Sequence, residues 1–512
     1  MRLAVRFHGK GDARLDCLPA RERPRPTEVI CDVEAVSLCY SDVKLSHQFE
    51  DHPRKAHVVG GLPAHVLARL AGYAPGALPT VPGHEFVVRV RDRGEAVRTV
   101  EPGMRAVICP DLRWLPTPGS SAAYGYNFEG GLQQDLCLDE RVFMGPEGSA
   151  LLPIDPGLPS AWAALAEPWS CIEHSYSLVE RNSLLPGGRR LVVGRAPLLP
   201  AVAAELAAQP PGEARYAGND AEFGGPYDDV IVVGADPDVI ERALGCLAHG
   251  GHLWLLTAGA RVPRSVRLRP AAFHYEGHRL IGTTGTSLRQ AAAAVSRPYP
   301  TGRINLVGAT GAMGQLHLAH LLSLGAVRSV HVGGRSPERL ALLQSRLGLG
   351  TFPVHTYLVG DGIGSGFDGI VLLAPDTSLV QRALHAVVDH GWVDLFAGCA
   401  RDDTIEIDLE DYVARGLYLR GTSGSTTRDI AAVLHRLATG SLDPGPVLSA
   451  ESGMAGALEA LLGVGRHHML GKTVVYPGCS DLGLRPLPFG VQTRASVLEH
   501  ERALGLPHRG PQ

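Results

Sequence analysis

The chain has 512 residues, of which 45% are hydrophobic and 20% charged, and its formal net charge is −4. A chain of this length is expected to form about three or four domains. The nearly neutral charge does not indicate a nucleic acid or an anionic membrane surface as a partner. No uncharged apolar run reaches the roughly 18 residues that a membrane span needs. Residues 1–10 do not resemble a secretory signal, and the nine scattered cysteines do not indicate a disulfide framework, so we expect a cytoplasmic protein.

Residues 1–185 are predicted to form a β-rich unit. Short alternating stretches such as 28–36 and 85–91 have the period and the composition of strands, and Pro-Gly turns separate them. From about residue 187, short apolar runs alternate with helical stretches that are rich in Ala and Leu. This is the βαβ pattern of a parallel sheet covered by helices. We therefore expect an α/β protein in which a β-rich unit precedes a part built on parallel sheet.

The parallel-sheet part contains an internal repeat. The segment 227–236 (YDDVIVVGAD) corresponds in register to the segment 367–376 (FDGIVLLAPD). The glycine turns and an arginine that follow keep the same register, which favours two tandem copies of one nucleotide-binding type of domain. We assign the β-rich unit to 1–185 with 441–512 completing it, the first copy to 186–298, and the second copy to 299–440.

The second copy begins with a buried strand, a glycine-rich turn and an amphipathic helix. Glycines in such a turn let the backbone approach a pyrophosphate, which binds to the free N–H groups at the start of the helix. We therefore predict that a dinucleotide binds at Gly308, Thr310, Gly311, Met313 and Gly314.

The corresponding turn of the first copy has a different composition. It contains one glycine, Gly194, followed by Arg-Ala-Pro-Leu-Leu and Pro200. Prolines and bulky leucines would occupy the space that the phosphates need. We predict that the first copy binds no dinucleotide; it could extend the substrate cleft, supply a dimer surface or shield the β-rich unit.

The residues after the next strand indicate which nicotinamide cofactor binds. A carboxylate at this position would pair with the adenosine ribose and repel a 2′-phosphate. The chain instead reads Gly333-Gly334-Arg335-Ser336, which offers a guanidinium and a hydroxyl to a phosphate. We predict NADP(H) rather than NAD(H), held by Arg335 and Ser336. The alternative is that Arg335 is an ordinary solvated charge in a loop.

Three separate motifs in the β-rich unit carry residues of the kinds that bind zinc. Cys39 follows a strand, His84 and Glu85 lie in Pro-Gly-His-Glu-Phe, and Glu167 lies in Ala-Glu-Pro-Trp-Ser. Catalytic zinc sites commonly use three protein ligands and leave one position for water or substrate. Taken singly, Cys39 would also fit a core position, and the His-Glu pair would also fit a surface turn.

Together these segments resemble the zinc-dependent medium-chain dehydrogenase/reductase superfamily, that of the alcohol dehydrogenases. Within it they are most similar to the polyol branch of sorbitol dehydrogenase and L-sorbose 1-phosphate reductase, as is the segment 124–131 (YGYNFEGG). The resemblance covers about 1–180 and 300–480, and the first copy has no counterpart in the ordinary layout of the family. It implies a β-rich GroES-like catalytic domain plus two tandem Rossmann-type domains with doubly wound parallel sheets.

The resemblance also implies roles for individual residues. Ser41 would relay the substrate proton, and Asp42 would orient a ligand, with turn capping as the alternative. Glu167 would either bind the metal or hold its water. One catalytic zinc would be surrounded by Cys39, His84, Glu85 and Glu167. The nicotinamide end of the cofactor would lie against the backbone of Ala397, Gly398, Thr422 and Ser423.

Two features depart from the family pattern. The segment 90–140 holds only Cys109 and Cys137, too few for the four-cysteine structural zinc of many alcohol dehydrogenases. We therefore expect a single zinc. The stretch 47–82 is long and contains Arg54 and Lys55, which could meet a substrate phosphate or could belong to a solvated loop.

The expected function is hydride transfer between NADP(H) and a polyol, a sugar phosphate or a cyclitol, with zinc as the Lewis acid. A redox-neutral epimerase with a tightly bound cofactor and a non-catalytic scaffold or regulatory protein are the alternatives. We expect no nucleic-acid or membrane partner, and a monomer or a homodimer. Medium-chain dehydrogenases often dimerise through an edge strand, and the first copy could imitate that pairing within one chain.

Overall fold

The computed structural model describes residues 1–194, 200–295, 300–346, 353–466, 469–487 and 493–506. No helix within these ranges is long and apolar enough to cross a membrane. The described chain before residue 180 contains the strands β1 (Arg2–Gly9), β2 (Asp12–Leu18), β3 (Glu28–Ser37), β4 (Glu85–Arg93), β5 (Arg105–Ile108), β6 (Asp111–Thr117), β7 (Ser120–Ala123), β8 (Asp135–Asp139), β9 (Met144–Gly145), β10 (Gly148–Ser149) and β11 (Leu151–Pro153). Its helices are α1 (Tyr40–Gln48), α2 (Ala64–Leu67), α3 (Glu140–Phe143), α4 (Ser160–Ala164) and α5 (Ala166–Ser177).

The rest of the chain alternates strands and helices before a short C-terminal part. The strands are β12 (Arg189–Val193), β13 (Glu213–Ala217), β14 (Tyr227–Val233), β15 (Leu247–Leu256), β16 (Val266–Leu268), β17 (Arg279–Thr283), β18 (Gly302–Val307), β19 (Val327–Gly334), β20 (Val354–Leu358), β21 (Phe367–Leu372), β22 (Val387–Leu395), β23 (Ile405–Ile407), β24 (Tyr418–Gly421), β25 (Leu448–Ser452), β26 (Lys472–Val475) and β27 (Arg485–Pro486). The helices are α6 (Pro200–Ala208), α7 (Pro237–Leu244), α8 (Pro270–Tyr275), α9 (Leu288–Ala292), α10 (Ala312–Leu324), α11 (Pro337–Arg346), α12 (Ser378–Ala386), α13 (Leu409–Ala414), α14 (Thr427–Thr439), α15 (Ala457–Gly465) and α16 (Arg494–Ala503).

An eight-stranded sheet organises the N-terminal part of the chain. Its strand order is β11-β5-β4-β3-β26-β25-β27, and β8 also pairs with β3. Strand β3 is buried at every position except Asp32, as expected for a central strand that is covered on both faces. The C-terminal strand β26 runs antiparallel to β3, with Val474 opposite Ser37. Strands from the two ends of the chain therefore share one sheet.

A second sheet has eleven strands in the order β13-β12-β14-β15-β17-β24-β22-β21-β18-β19-β20. All neighbours in it are parallel except β17 and β24, which meet antiparallel at Leu280 and Leu419. We call the strands β12–β17 the first sheet unit and the strands β18–β24 the second sheet unit. A two-stranded ribbon of β16 and β23 pairs the two units a second time.

The second sheet unit has the order β20-β19-β18-β21-β22-β24, which is the doubly wound order of dinucleotide-binding folds. The first sheet unit repeats this order as β13-β12-β14-β15-β17 but shows, in the described residues, no counterpart of β20. The two units thus form one continuous sheet, with their last strands side by side.

A buried group of charges fixes the seam between the two sheet units. Arg279 on β17 donates from Nε and Nη2 to the Glu180 carboxylate at 2.9 and 3.0 Å, and from Nη2 to the carbonyl oxygen of Gly421 at 3.1 Å. Arg420 on β24 lies 3.6 Å from Glu180 and 3.6 Å from Asp394. Burial alone would raise the pKa of Glu180, but the two arginines hold it below its ordinary value. The carboxylate therefore stays ionised and links both units.

We predict that Glu180→Ala lowers the free energy of unfolding by about 3–5 kcal/mol, because it removes one partner of a buried ion pair. The loss is measured by urea denaturation followed by circular dichroism. Since the pKa of Glu180 is lowered in the folded protein, its stabilisation is present above the ordinary pKa of glutamate. The difference between wild type and variant should shrink as the pH falls through the lowered pKa.

The matched control is Glu213→Ala, which removes the exposed carboxylate that pairs with Arg189 at 2.9 Å on the edge strand β13. The urea concentration at which this variant is half unfolded should stay close to that of the wild type, since exposed ion pairs contribute little to stability. Equal losses in the two variants would contradict the assigned role of Glu180.

Candidate metal centre and cofactor cleft

Three side chains that can bind a metal meet at one end of the strands β3 and β4. Cys39 follows β3 and precedes the first residue of α1, while His84 precedes β4 and Glu85 begins it. Antiparallel pairing places Ser37 opposite Glu85, so the two segments converge. The ligand atoms of Cys39, His84 and Glu85 all lie within 4.8 Å of one another. A thiolate, an imidazole and a carboxylate are the donor set that zinc prefers, so these residues fit the predicted ion.

The Asp42 carboxylate holds two of these ligand segments together. Its Oδ1 accepts hydrogen bonds from His84 Nδ1 at 3.0 Å and from the Gly83 backbone N–H at 3.1 Å. Its Oδ2 accepts one from the Cys39 backbone N–H at 3.0 Å. Because Nδ1 pairs with Asp42, Nε2 is the ring nitrogen that is left for a metal. These contacts fit both expectations for Asp42, because it orients His84 and also caps α1 through the Cys39 N–H; its role at a metal stays a prediction.

His84 itself is buried beside this carboxylate. Burial lowers the pKa of His84, but the charge of Asp42 and its hydrogen bond outweigh burial and raise the pKa well above the ordinary value. A metal ion at Nε2 would therefore displace a proton, so its binding should release protons.

Glu85 forms an ion pair with a lysine that no sequence motif indicated. Lys472 Nζ lies 2.6 and 2.7 Å from the two carboxylate oxygens of Glu85, and both side chains are buried. Burial lowers the pKa of Lys472, but the Glu85 carboxylate raises it above its ordinary value, so the ammonium stays charged. Lys472 balances the negative charge of Glu85 beside the other ligands. No local signal could have identified this lysine, because 387 residues separate it from Glu85.

Glu167 lies beside the group but is not one of its members. It is the second residue of α5, it is buried, and its carboxylate is not among the three ligand atoms within 4.8 Å. Burial and the nearby Glu85 raise its pKa to about 7, against the opposing effect of His84. Ser41, the second residue of α1, is half-buried on the same segment as Cys39. The catalytic roles of Glu167 and Ser41 stay predictions.

The glycine turn of the second sheet unit has the shape that a bound pyrophosphate needs. Gly308 has a φ of +84°, a backbone conformation that is strained for residues other than glycine. A Cβ on Gly314 would lie 2.2 Å from the carbonyl oxygen of Ala309, so this helix packs closely on the turn. Gly311 precedes α10 with open space around it, while Thr310 and Met313 are half-buried. The predicted residues therefore form a turn that leaves the start of a 13-residue helix accessible.

The end of β19 presents two arginines instead of the one that was predicted. Arg335 is exposed, and Arg339 is half-buried nearby. Burial lowers the pKa of Arg339, and the positive charge of Arg335 lowers it further. Arg339 also donates to the carbonyl oxygen of Thr310 in the glycine turn at 3.3 Å. The hydroxyl of Ser336 accepts a hydrogen bond from the Arg339 backbone N–H at 3.2 Å, so Ser336 caps α11. The signal for Arg339 was its position in the first turn of α11, four residues after Arg335.

The other predicted cofactor residues follow the ends of β22 and β24. The buried hydroxyl of Thr422 has no hydrogen-bond partner in the described residues, and Ser423 beside it is half-buried. The Ala397 N–H is already donated to Leu372 O at 2.9 Å. A Cβ on Gly398 would lie 2.2 Å from the hydroxyl oxygen of Tyr275, so only a glycine lets the backbone here pack this closely against Tyr275.

Helix α5 connects the neighbourhood of the metal group to the residues that follow β24. Ser170, one turn after Glu167, donates to the Ser425 hydroxyl at 2.7 Å, and His174 lies 2.9 Å from Asp429. Both partners follow β24, close to Thr422. The helix that carries Glu167 is therefore joined directly to the segment that follows Thr422.

The expectation for Lys55 is wrong on both alternatives. Its ammonium is fully buried and donates to the carbonyl oxygens of Ala74 and Leu78, so it contacts neither a substrate nor solvent. Arg54 forms a bidentate ion pair with Asp111 at the wall of the cleft. In the first sheet unit, the predicted block to a dinucleotide falls on residues 195–199, which lie outside the described residues.

We predict that Asp42→Ala weakens zinc binding about 10–100-fold, the usual effect of removing a group that orients a metal ligand. The affinity is measured by competition with a chromophoric chelator. The control is Asp32→Ala, which removes a half-exposed carboxylate on β3 that pairs with Arg91 at 2.9 Å. Zinc affinity that is unchanged in the Asp42 variant would show that the carboxylate does not support a metal site.

Comparison with known proteins agrees with this architecture. Residues 25–146 match the family model of the alcohol dehydrogenase GroES-like domain. D-altritol 5-dehydrogenase of Agrobacterium fabrum is 28% identical over 179 residues, which are 33% of this chain and 44% of that relative. The matched part thus spans less than half the length of the curated relative.

Solved structures share the fold over most of the chain. 2R,3R-butanediol dehydrogenase from Bacillus subtilis has a TM-score of 0.54 at 15% identity, covering 93% of this chain and all 100% of its own. A protein from Sinorhizobium meliloti 1021 with bound NADP has a TM-score of 0.53 at 14% identity, covering 93% and 99%. Galactitol-1-phosphate dehydrogenase from Escherichia coli has a TM-score of 0.51 at 14% identity, covering 93% and 100%. The predicted α/β fold is confirmed: a GroES-like domain of the alcohol dehydrogenase type stands beside a largely parallel sheet.

Proposed function

We propose that the chain is a zinc-dependent oxidoreductase that transfers a hydride between NADP(H) and a polyol, a sugar phosphate or a cyclitol. The observation that carries the proposal is the group of Cys39, His84 and Glu85, whose ligand atoms lie within 4.8 Å of one another. Helix α5 joins the neighbourhood of this group to the residues that follow β24, which supports a substrate and a nicotinamide binding close to each other there.

Cys39 and His84 would hold the zinc, with Glu85 or Glu167 supplying an oxygen ligand. Bound there, the ion supplies a Lewis acid for the substrate oxygen. The residues of the chain would do the rest: Asp42 fixes the ring of His84, and the half-buried hydroxyl of Ser41 relays the proton of the alcohol by accepting it and passing its own proton to water. Lys472 balances the charge of Glu85, so the ligand set does not accumulate negative charge in a buried place.

The second sheet unit would hold the cofactor. Gly308, Gly311 and Gly314 admit the pyrophosphate at the start of α10. Arg335 and Arg339 form a positive end of β19 that suits a 2′-phosphate, which favours NADP(H) over NAD(H). The buried hydroxyl of Thr422, which has no hydrogen-bond partner among the described residues, is available to the nicotinamide end.

The charges beside the metal group support a polyhydroxylated substrate. Glu167 and the paired Arg54 and Asp111 lie close enough for their charges to act on one another, so a substrate there would meet polar groups rather than an apolar surface. The names of the relatives agree with this class, because one acts on D-altritol and a structural neighbour on galactitol 1-phosphate.

We also propose that the two sheet units are copies of one domain, of which only the second binds a cofactor. Their common strand order and the repeat of 227–236 in 367–376 support this interpretation. The antiparallel pairing of β17 with β24 lets the first copy occupy the place that a second subunit would take.

The test is a screen of polyols, polyol phosphates and cyclitols with NADP⁺ and with NAD⁺, following the absorbance of the reduced nicotinamide. We expect turnover that prefers NADP⁺, that a chelator abolishes and that zinc restores, with one NADP(H) bound per chain. Arg335→Gln should raise the KM for NADP⁺ about tenfold or more and leave that for NAD⁺ unchanged, because a charged hydrogen bond is lost.

The control for this variant is Arg328→Gln, which changes an exposed arginine on the same strand β19 and should leave both KM values unchanged. A co-purifying cofactor with turnover but no net change in absorbance would favour an epimerase instead. A biological activity that persists after removal of zinc would favour a scaffold or regulatory protein and would contradict the proposal.

A further inference from the structure

Tyr275, from the first sheet unit, lies in a cluster with two cations from the other parts of the chain. It is the last residue of α8 and is half-buried. Its hydroxyl oxygen lies 3.4 Å from Nζ of Lys44 on α1. The guanidinium of Arg401, which follows β22, lies 5.1 Å from the centre of the Tyr275 ring. One residue from each of the three parts of the chain thus meets here.

This cluster borders the cofactor cleft. Lys44 lies three residues after Ser41 on α1, which is about one helical turn of 5.4 Å. On the other side, the Tyr275 hydroxyl covers Gly398, where even a Cβ would come within 2.2 Å of it. Tyr275 therefore stands between the helix of the candidate metal centre and the predicted nicotinamide end.

Lys44 and Arg401 have no ionic partner in the part of the chain that the structure describes. Among the described residues, no carboxylate lies within ion-pair distance of Lys44 or Arg401, and Arg401 donates to the carbonyl oxygen of Gly119 at 3.3 Å. The nearby His52 experiences their field: burial first, and then the charges of Arg54, Lys44 and Arg401, lower its pKa to about 3. The neighbourhood is therefore positive and holds a neutral histidine.

The histidine also connects the cluster to the metal group. The ring of His52 lies 5.0 Å from the ring of Tyr126, which in turn lies 5.8 Å from that of His84. The rings of His84, Tyr126 and His52 thus lead from the metal group toward Lys44 and Arg401, and the far end of a substrate bound along them would lie beside these two cations. An anionic group at its far end would meet uncompensated positive charge.

We propose that Lys44, Tyr275 and Arg401 bind a phosphate monoester at the end of the substrate remote from the reacting carbon. A dianionic phosphate matches two unpaired cations, and its oxygens can accept from the ammonium, the guanidinium and the phenol hydroxyl. This inference rests on the proposed function and specifies its substrate class as sugar or polyol phosphates. It also gives the first sheet unit a role, because that unit supplies Tyr275.

The experiment compares a polyol with its phosphate ester in Lys44→Gln, Arg401→Gln and Tyr275→Phe. We expect each loss of a charge to raise the KM for the phosphate ester about 10–100-fold, with kcat and the kinetics of the unphosphorylated polyol nearly unchanged. Tyr275→Phe should raise the same KM about two- to tenfold, because it removes a neutral donor. The melting temperature of each variant confirms that it is folded.

The matched control is Arg261→Gln, which removes an exposed guanidinium of the first sheet unit that pairs with Glu410 at 3.2 Å. It should leave both substrates unaffected. A wild type that does not distinguish the ester from the free polyol, or variants that weaken both equally, would overturn the inference while the proposed function stands. A preference for polyol carboxylates over phosphates would overturn the assignment of phosphate.

A calorimetric titration of the phosphate ester into wild type and variants keeps the two proposals separate. Binding that depends on Lys44 and Arg401 without any hydride transfer would support the anion site and contradict the proposed oxidoreductase. Turnover of polyols without binding of the phosphate ester at these residues would support the proposed oxidoreductase and contradict the anion site.

Discussion

The candidate site depends on a single carboxylate. Asp42 accepts hydrogen bonds from the backbone of Cys39, the backbone of Gly83 and the ring of His84, and it is almost completely buried. These contacts hold the segments that follow β3 and precede β4 at the spacing that a metal ion needs. Lys472 gives the two segments a second link, because its ammonium donates to Leu38 O at 3.4 Å and also to the Glu85 carboxylate.

The second constraint is the pairing of strands from distant parts of the chain. Strand β26 lies against β3 and carries Lys472 to Glu85, so the C-terminal part of the chain balances the charge of the site. Likewise β17 lies against β24, and Glu180 joins the arginines of both strands. Because this edge of the second sheet unit is already paired within the chain, it is not free to pair with another copy. The same arrangement places Tyr275 of the first sheet unit at the cleft.

The parts of the site that could be predicted from the sequence are those with a local signature. Cys39 after a strand, His84 next to Glu85, and the glycines from Gly308 to Gly314 can each be found within a few residues. The α/β architecture follows equally from the change of pattern near residue 187, and the matched GroES-like domain confirms its first part. In each case the residues that form the feature are close to one another in the sequence.

The contacts that could not be predicted join residues that are far apart in the sequence. Lys472 and Tyr275 have no local pattern that distinguishes them from ordinary surface residues, because their roles arise from strand and helix packing. The interpretation of Lys55 failed for the same reason: a lysine in a polar stretch gives no sign that its ammonium is buried against the carbonyl oxygens of Ala74 and Leu78. Which buried charges find partners is decided by the tertiary structure.

The most direct test of the central claim is X-ray absorption at the zinc edge on the purified, zinc-loaded protein. We predict one zinc per chain, bound by a single sulfur and by nitrogen or oxygen ligands, and we expect Cys39→Ser to remove the sulfur signal. A protein that retains no zinc, or a zinc whose sulfur signal persists in the Cys39 variant, would contradict the assignment of the metal centre.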